Sequence, residues 1–395
     1  MRIGISTLMI QGGKSGVAQY VLSLVRGLQR HTKWHEFTLF ALEKDLPLFS
    51  FAHESMTLVA VSEKYRSAVK NILWHQHRLP RLVRSYRLDV LHVPSYRRLL
   101  SRRPCPLVGT IHDLAPFQVP NKYDWKRMFY GRVVVRWLAR RQDRIIAVSQ
   151  NTAKDIETFF HLPKDRIKVI HNGIDHTRFG PAPVEPAKSW VSRRYGLGGR
   201  YFLYVARLEH PGKNHIRLIE AFDLFKAGSS SDWQLVFAGD DWHGAEAIHA
   251  RIAQSPNRKH ICSLGFIPDS SMADLYRAAD AFVYPSLYEG FGLPPLEAMA
   301  CGSPVICSTR GSLGEVIGQA ALTIDPENVS QMAAQLGKIA TDEQTRNRLR
   351  EAGFAQAAQF DWARTTAETL RVYEQAGSRA AVSHFVRGCE TPVGY

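Results

Sequence analysis

Glu289 and Glu297 bracket the stretch EGFGLPPLE, with two glycines and two prolines between them. A hydrophobic run, AFVYPS (281–286), leads in, and a run with helical spacing, PLEAMACG (295–302), leads out. The order strand, glycine turn, helix start puts one carboxylate on the turn and the other in the first turns of a helix. A helix start carries unpaired N–H groups and a partial positive charge, so it suits a phosphate. Gly290 and Gly292 allow the backbone close to that anion, with Phe291, Leu293 and Pro294 completing the turn. Glu297 is then placed to accept hydrogen bonds from ribose or sugar hydroxyls. The chemistry read from this pattern is the binding of a sugar nucleotide.

A second constellation lies in YVARLEHPGKNH (204–215), where Arg207 ends a strand and Lys213 follows a Pro-Gly turn. A diphosphate leaving group gains negative charge as its glycosidic bond breaks, and two fixed cations stabilise that charge without a metal. No spaced Asp-x-Asp pair stands where it would hold a cation, since Asp240 and Asp241 are adjacent. Neither a metal nor a cofactor is expected. His112 ends the run PLVGTIHD (106–113), where an imidazole can hydrogen-bond a sugar hydroxyl and the departing group. The loop QGGKSG (11–16) offers Gly12, Gly13 and Gly16 to a phosphate or sugar. It matches neither a Walker A loop, which needs glycine where Leu8 stands, nor a G-x-G-x-x-G fingerprint.

The E-x7-E motif after a hydrophobic strand, followed by Gly302-Ser303-Pro304-Val305-Ile306, resembles the retaining glycosyltransferases of family 4, which have the GT-B fold. The likeness runs from the N-terminal glycine loop to about residue 330. It is strong in the C-terminal half and looser over residues 40–105. The resemblance implies that Arg207 and Lys213 contact the donor diphosphate and that His112 lies near the donor sugar. It also implies that the 11–16 loop closes over the donor, while backbone groups of Phe266 and Ile267 read the base. Glu289, His112, Arg207 and Lys213 are thus the candidate catalytic residues. Glu289 binds hydroxyls of the transferred sugar or stabilises oxocarbenium-like charge. With no carboxylate marked as a nucleophile, same-face attack is preferred to double displacement. HDLAPFQVP (112–120) resembles bacterial surface-polysaccharide transferases, many of which use GDP-mannose, so mannose is preferred to glucose as the transferred hexose.

The elements that must position these residues are short apolar strands alternating with helical segments. That pattern implies an α/β chain with parallel sheets covered on both faces. Strands are expected at 2–7, 36–42, 56–61, 89–94, 106–113, 144–149 and 166–173. Residues 176–199, rich in proline and glycine, read as a linker, after which strands restart at 201–207, 233–240, 260–267, 281–286 and 304–308. The reading is GT-B, with two doubly wound Rossmann-like domains facing across a cleft outside the carboxyl ends of both sheets. An acceptor-binding domain spans 1–180, a nucleotide-sugar domain 181–360, and residues 361–395 form a C-terminal helix, which can cross back to the first domain, and a disordered tail.

A chain of 395 residues exceeds one ordinary core, and no apolar run is long enough to span a bilayer. The N-terminus reads as a first strand rather than a signal peptide. Five cysteines without metal spacing suggest buried thiols in a reducing cytosol. Of the net charge of +15, residues 1–180 carry 30 Lys and Arg against 13 Asp and Glu, and the remainder carries 21 against 23. An anionic partner for the first half follows. Arg78, Arg81, Arg84 and Arg87 recur every third residue, which would gather them on one helical face. Trp74 precedes them. Arg97, Arg98, Arg102, Arg103, Lys126, Arg127, Arg132, Arg136, Arg140 and Arg141 follow, with Trp125, Phe129, Tyr130 and Trp137 interleaved. Basic residues mixed with aromatics suit an anionic membrane face or a polyprenyl-diphosphate-linked acceptor. The expected location is cytoplasmic, at the inner face of the membrane, with a glycan or lipid-linked acceptor, a role in lipopolysaccharide-type polysaccharide synthesis and no nucleic acid. An NAD-dependent oxidoreductase would share the layer architecture but needs a glycine fingerprint that is missing. Two further readings fit parts of the chain: a GT-B nucleotide-sugar epimerase, and a nucleic-acid-binding protein that uses the basic half. The second leaves E-x7-E and the Arg207/Lys213 pair unexplained.

Overall fold

A computed structural model describes residues 1–118, 129–229 and 231–388, with 379–388 as backbone only. Trp125, Lys126, Arg127 and Cys389 lie outside the described residues. The chain divides into two compact units. One comprises Met1–Phe117, Tyr123–Gly173 and Trp362–Tyr395, and the other Gln118–Lys122 and Ile174–Asp361.

The first unit is built on seven parallel strands: β1 (Arg2–Ser6), β2 (Glu36–Leu42), β3 (Thr57–Val61), β4 (Val90–Val93), β5 (Leu107–Ile111), β6 (Arg144–Ala147) and β7 (Ile167–Val169). Their order is β3-β2-β1-β4-β5-β6-β7. Central strands such as β4 and β5 are buried along their whole length, which is why they read as unbroken apolar runs rather than alternating ones. The helix Gly16–Leu28 begins where the Ser15 hydroxyl accepts from the Ala18 amide at 3.2 Å. Its Tyr20, Val21, Leu24, Val25 and Leu28 form the face buried on the sheet. The helix Trp362–Gly388 belongs to this unit too. Leu370, Val372, Tyr373 and Ala376 share a core with Ile3, Ile5 and Val90. The Tyr373 hydroxyl lies 2.7 Å from Nδ1 of the buried His92.

The second unit carries six parallel strands: β8 (Tyr201–Val205), β9 (Gln234–Ala238), β10 (Ile261–Ser263), β11 (Ala281–Tyr284), β12 (Val305–Ser308) and β13 (Ala321–Ile324). The order is β10-β9-β8-β11-β12-β13. The strand order therefore reverses direction between β8 and β11. Connections on the two sides of that reversal leave for opposite faces, so a crevice opens at the carboxyl ends of β8 and β11. The short β13 was not expected from the sequence. It is only partly buried, as β7 and β10 are.

Pairing between the β8 and β9 segments continues past both strands. The Ala206 amide donates to Ala238 O (3.0 Å), Leu208 to Asp240 O (2.9 Å), and Trp242 to Leu208 O (3.1 Å). Gly239 makes this close approach possible. Its φ is +154°, and an added Cβ would stand 2.0 Å from the Ala206 carbonyl oxygen.

One expectation is corrected. The four arginines at three-residue spacing do not share a helical face. Arg78 sits between two helices, Ala68–His77 and Leu79–Ser85, and Arg87 lies beyond the second with φ +49°. Pro80, in the first turn of the second helix, lacks the N–H that would have continued the first. Trp74 is buried in the core rather than displayed beside the arginines.

Gly239→Ala is expected to lower stability by about 1–3 kcal/mol, read as an earlier denaturation midpoint. An unchanged midpoint would refute the close-approach account.

Candidate active site

The loop after β11 is held by its first glutamate. Glu289 Oε1 accepts from Lys213 Nζ at 2.5 Å, from the Tyr284 hydroxyl at 2.9 Å and from the Ser286 hydroxyl at 2.7 Å. Both members of the ion pair are largely buried, with 18% of the Lys213 side chain and 16% of the Glu289 side chain exposed. Three donors on one oxygen favour the ionised carboxylate. The backbone is fixed as well: Ser312 donates to Glu289 O through its amide and its hydroxyl, each at 3.0 Å. Gly311 permits that contact, since a Cβ there would meet Glu289 O at 2.4 Å.

The loop after β8 brings the cations. Asn214, at φ +62°, donates through Nδ2 to Pro285 O (3.1 Å) and Pro326 O (2.6 Å), and Leu287 donates to Gly212 O (3.1 Å). These bonds tie the Lys213 loop to the end of β11. Arg207 is half exposed and 3.6 Å from Glu209, with its guanidinium 4.5 Å from the centre of the Trp242 ring. Lys213 and Glu289 are therefore brought together, while Arg207 takes different partners, Glu209 on the same loop and Trp242 on the loop after β9.

Gly292 caps the helix Leu293–Ala300 in a left-handed conformation. Pro294 and Pro295 have no N–H, so of its first four residues only Leu293 and Leu296 offer an amide donor. The helix start keeps its dipole but is poorer in donors than the sequence pattern implied. Gly290 lies on the loop before it. Phe291 is buried, edge-on to Phe360 at 5.8 Å, and its carbonyl accepts from Ser312 Oγ at 2.9 Å. Phe266 is exposed and Ile267 buried, on the segment following β10. Glu297 is half-buried, and its Oε2 accepts from the Tyr276 hydroxyl at 2.9 Å. Burial pushes its carboxyl up to about 7, while the Tyr276 bond and the charge of Arg178 pull it part of the way back.

In the first unit, His112 follows β5 with its Nε2 3.2 Å from Pro94 O, edge-on to Tyr20 (4.7 Å between ring centres, 79° between planes). Burial lowers its pKa to about 4, so the ring is neutral at physiological pH. Gly12 and Gly13 both take positive φ, and Gly16 opens the following helix. The Gly12 amide already donates to the buried Asp45 at 3.0 Å, and Asp45 is 3.3 Å from Arg66. An anion on this loop would meet a carboxylate at that position. Among the described residues, no group of three or more His, Cys, Asp or Glu could hold a metal ion.

Sequence reasoning missed Tyr284, Ser286, Ser312 and Trp242. Tyr284 and Ser286 end the run AFVYPS, and a hydroxyl at the mouth of an otherwise apolar strand was the available signal. Ser312 and Trp242 are set by long-range contacts and left none.

Two parallel sheets of seven and six strands, each with helices, have the architecture of the GT-B fold. Residues 14–178 match the description Glycosyltransferase Family 4, and residues 193–356 match Glycosyl transferases group 1. The O-antigen chain mannosyltransferase B of Escherichia coli is 30% identical over 395 residues, covering 95% of this chain and 100% of that protein. The MMP alpha-(1->4)-mannosyltransferase of Mycolicibacterium hassiacum is 29% identical, over 70% of this chain and 67% of its own. Among solved structures, Anabaena HepE in complex with UDP and glucose superposes with a TM-score of 0.75 at 18% identity, covering 95% of this chain and 100% of that one. The chain belongs to glycosyltransferase family 4.

A Glu297 that accepts ribose hydroxyls as a carboxylate makes nucleotide binding pH-dependent. Its raised pKa leaves it partly protonated at neutrality, and the ligand favours the ionised form. Affinity for a nucleoside, which has no group of its own ionising near neutrality, should therefore fall as pH drops through about 7, approaching tenfold per pH unit below that value. Titration calorimetry across this range should show the slope in the parent protein and not in Glu297→Gln. An equal slope in both would remove Glu297 from the site.

Proposed function

We propose that this glycosyltransferase is a retaining, metal-independent mannosyltransferase. It moves mannose from GDP-mannose to a glycan or polyprenyl-diphosphate-linked oligosaccharide in surface-polysaccharide assembly. The observation that carries the reading is the Lys213–Glu289 pair at the crossover of the second sheet (2.5 Å). The choice of sugar and pathway is supported by the whole-length likeness to an O-antigen mannosyltransferase.

In this mechanism the donor diphosphate lies against Lys213, Arg207 and the start of the Leu293–Ala300 helix. The bond between the anomeric carbon and the phosphate oxygen breaks first in character, and negative charge grows on the leaving oxygen. The cations are already in place, so no reorganisation is needed as that charge appears. The acceptor hydroxyl attacks on the face the leaving group has just vacated, and the departing phosphate takes its proton. Glu289, held ionised by Lys213, Tyr284 and Ser286, binds sugar hydroxyls and balances positive charge on the ring. The neutral His112, whose Nε2 proton goes to Pro94 O, presents Nδ1 as an acceptor for a sugar hydroxyl.

A transfer assay against GDP-mannose, UDP-glucose and ADP-glucose should show turnover with the first, unaffected by EDTA, with NMR showing the anomeric configuration kept. Glu289→Ala should lose stability as well as activity, because Lys213 is left unpaired. Glu289→Gln, which keeps an acceptor oxygen for Tyr284 and Ser286, should stay folded and still lose at least about a hundredfold in kcat. Near-parental turnover by that variant would dismiss the mechanism, and preference for another donor would dismiss mannose.

The same reading places the enzyme peripherally on an anionic membrane through its basic first unit. Arg81, Arg84, Arg102, Arg132, Arg140 and Arg141 are exposed there, and each cation near anionic lipid contributes about 1 kcal/mol. No helix among the described residues is long and apolar enough to cross a membrane. Vesicles containing phosphatidylglycerol should sediment the protein at low salt and release it at high salt. Failure to sediment at low salt would contradict this placement.

A further inference from the structure

Trp242 is 55% exposed, an unusual setting for the largest apolar side chain, and its ring faces the guanidinium of Arg207 at 4.5 Å. We propose that Trp242 is a positioning residue for Arg207, holding the guanidinium flat so that its N–H edge meets the donor diphosphate. The inference rests on the reading of Arg207 as a diphosphate contact.

Arg207 has two neighbours, and they act on different parts of it. Glu209, 3.6 Å away, engages the N–H edge, the same edge a phosphate would use. Trp242 sets its ring centre 4.5 Å from the central guanidinium carbon, a contact that uses none of the N–H donors as hydrogen bonds. An arriving anion competes with Glu209 for the Nη2 side, whereas the ring contact leaves that side open. A half-exposed arginine otherwise samples many rotamers, and fixing one of them weakens binding. The ring removes part of that cost in advance.

Trp242 can do this because its own backbone is fixed. Its amide donates to Leu208 O at 3.1 Å, and its carbonyl accepts from Ala245 N at 3.1 Å, where the helix Ala245–Gln254 begins. Leu208 in turn donates to Asp240 O at 2.9 Å, and His210 to His243 O at 3.0 Å. The loop carrying the ring is thus laced along the loop carrying the arginine, and Gly239 lets the two approach.

The test measures binding of GDP and guanosine, with UDP and uridine beside them, to the full-length protein by calorimetry, and scores the pair that binds. Trp242→Ala is expected to weaken the diphosphate about threefold to tenfold while leaving the nucleoside unchanged. Trp242→Phe should restore most of the loss, and Trp242→Leu should not. In an Arg207→Ala background, Trp242→Ala should add nothing, because its effect runs through the arginine. A full additional loss in that background, or equal weakening of nucleoside and diphosphate, would overturn the proposal. Diphosphate binding unchanged by Arg207→Ala alone would instead bring down the reading of Arg207, and binding of neither pair to the parent protein would bring down both.

Discussion

The arrangement at the second crossover depends on one buried ion pair. Lys213 and Glu289 come from loops 76 residues apart, and each loop has a reason to be where it is only because the other is there. Removing either partner would leave an unpaired charge in a poorly solvated place, which costs far more than the pair itself contributes. Tyr284 and Ser286 share the same carboxylate oxygen, and burial raises the Tyr284 phenol well above its ordinary value, so it stays a donor. Asn214 extends the constraint by stapling the lysine loop to Pro285 and Pro326. The carboxylate is therefore fixed before any ligand arrives, as electrostatic preorganisation requires.

The first unit solves a different problem, that of keeping imidazoles neutral and oriented beneath the carboxyl ends of its strands. His75 lies between Ser6 and the Asn71 carbonyl, each at 2.8 Å. Because a carbonyl only accepts, Nδ1 carries the proton and Nε2 takes the hydroxyl hydrogen of Ser6. A second chain runs from Tyr20 through Thr110 to His92 and Tyr373, with links of 3.3, 2.8 and 2.7 Å. Burial lowers both histidines to about 3. Tyr20 joins this chain to His112 through the face of its ring. The His112 imidazole thus rests on a polar network whose charge states are fixed by desolvation.

Much of this was legible in the residues. Apolar runs located twelve of the strands, the central ones because parallel sheets bury both faces; β13 escaped although it is no less buried than β7 or β10. Arg207, Lys213 and Glu289 were visible from their places at strand ends. Their partners were less so: Lys213 bonds Glu289 and Arg207 lies on Trp242, pairings that depend on which strands become neighbours. The glycine loop shows the opposite limit. Its glycines do adopt positive φ, yet the amide of Gly12 is taken by Asp45, a residue from a distant turn that no local pattern announces. The arginine periodicity failed because a single proline outweighs spacing.

The chain leaves the first unit at Gly173 and rejoins it at Trp362. During synthesis, then, the seven-stranded sheet emerges from the ribosome before the helix that covers Ile3, Ile5 and Val90 exists. The intervening six-stranded unit, whose strands all fall between Tyr201 and Ile324, can mature first. Until Leu370 and Tyr373 arrive, the nascent first unit presents a bare apolar patch and an incomplete hydrogen bond at His92. Truncated chains ending near residue 361 would carry that exposed patch permanently, making them clients for chaperones and proteases rather than half-active enzymes.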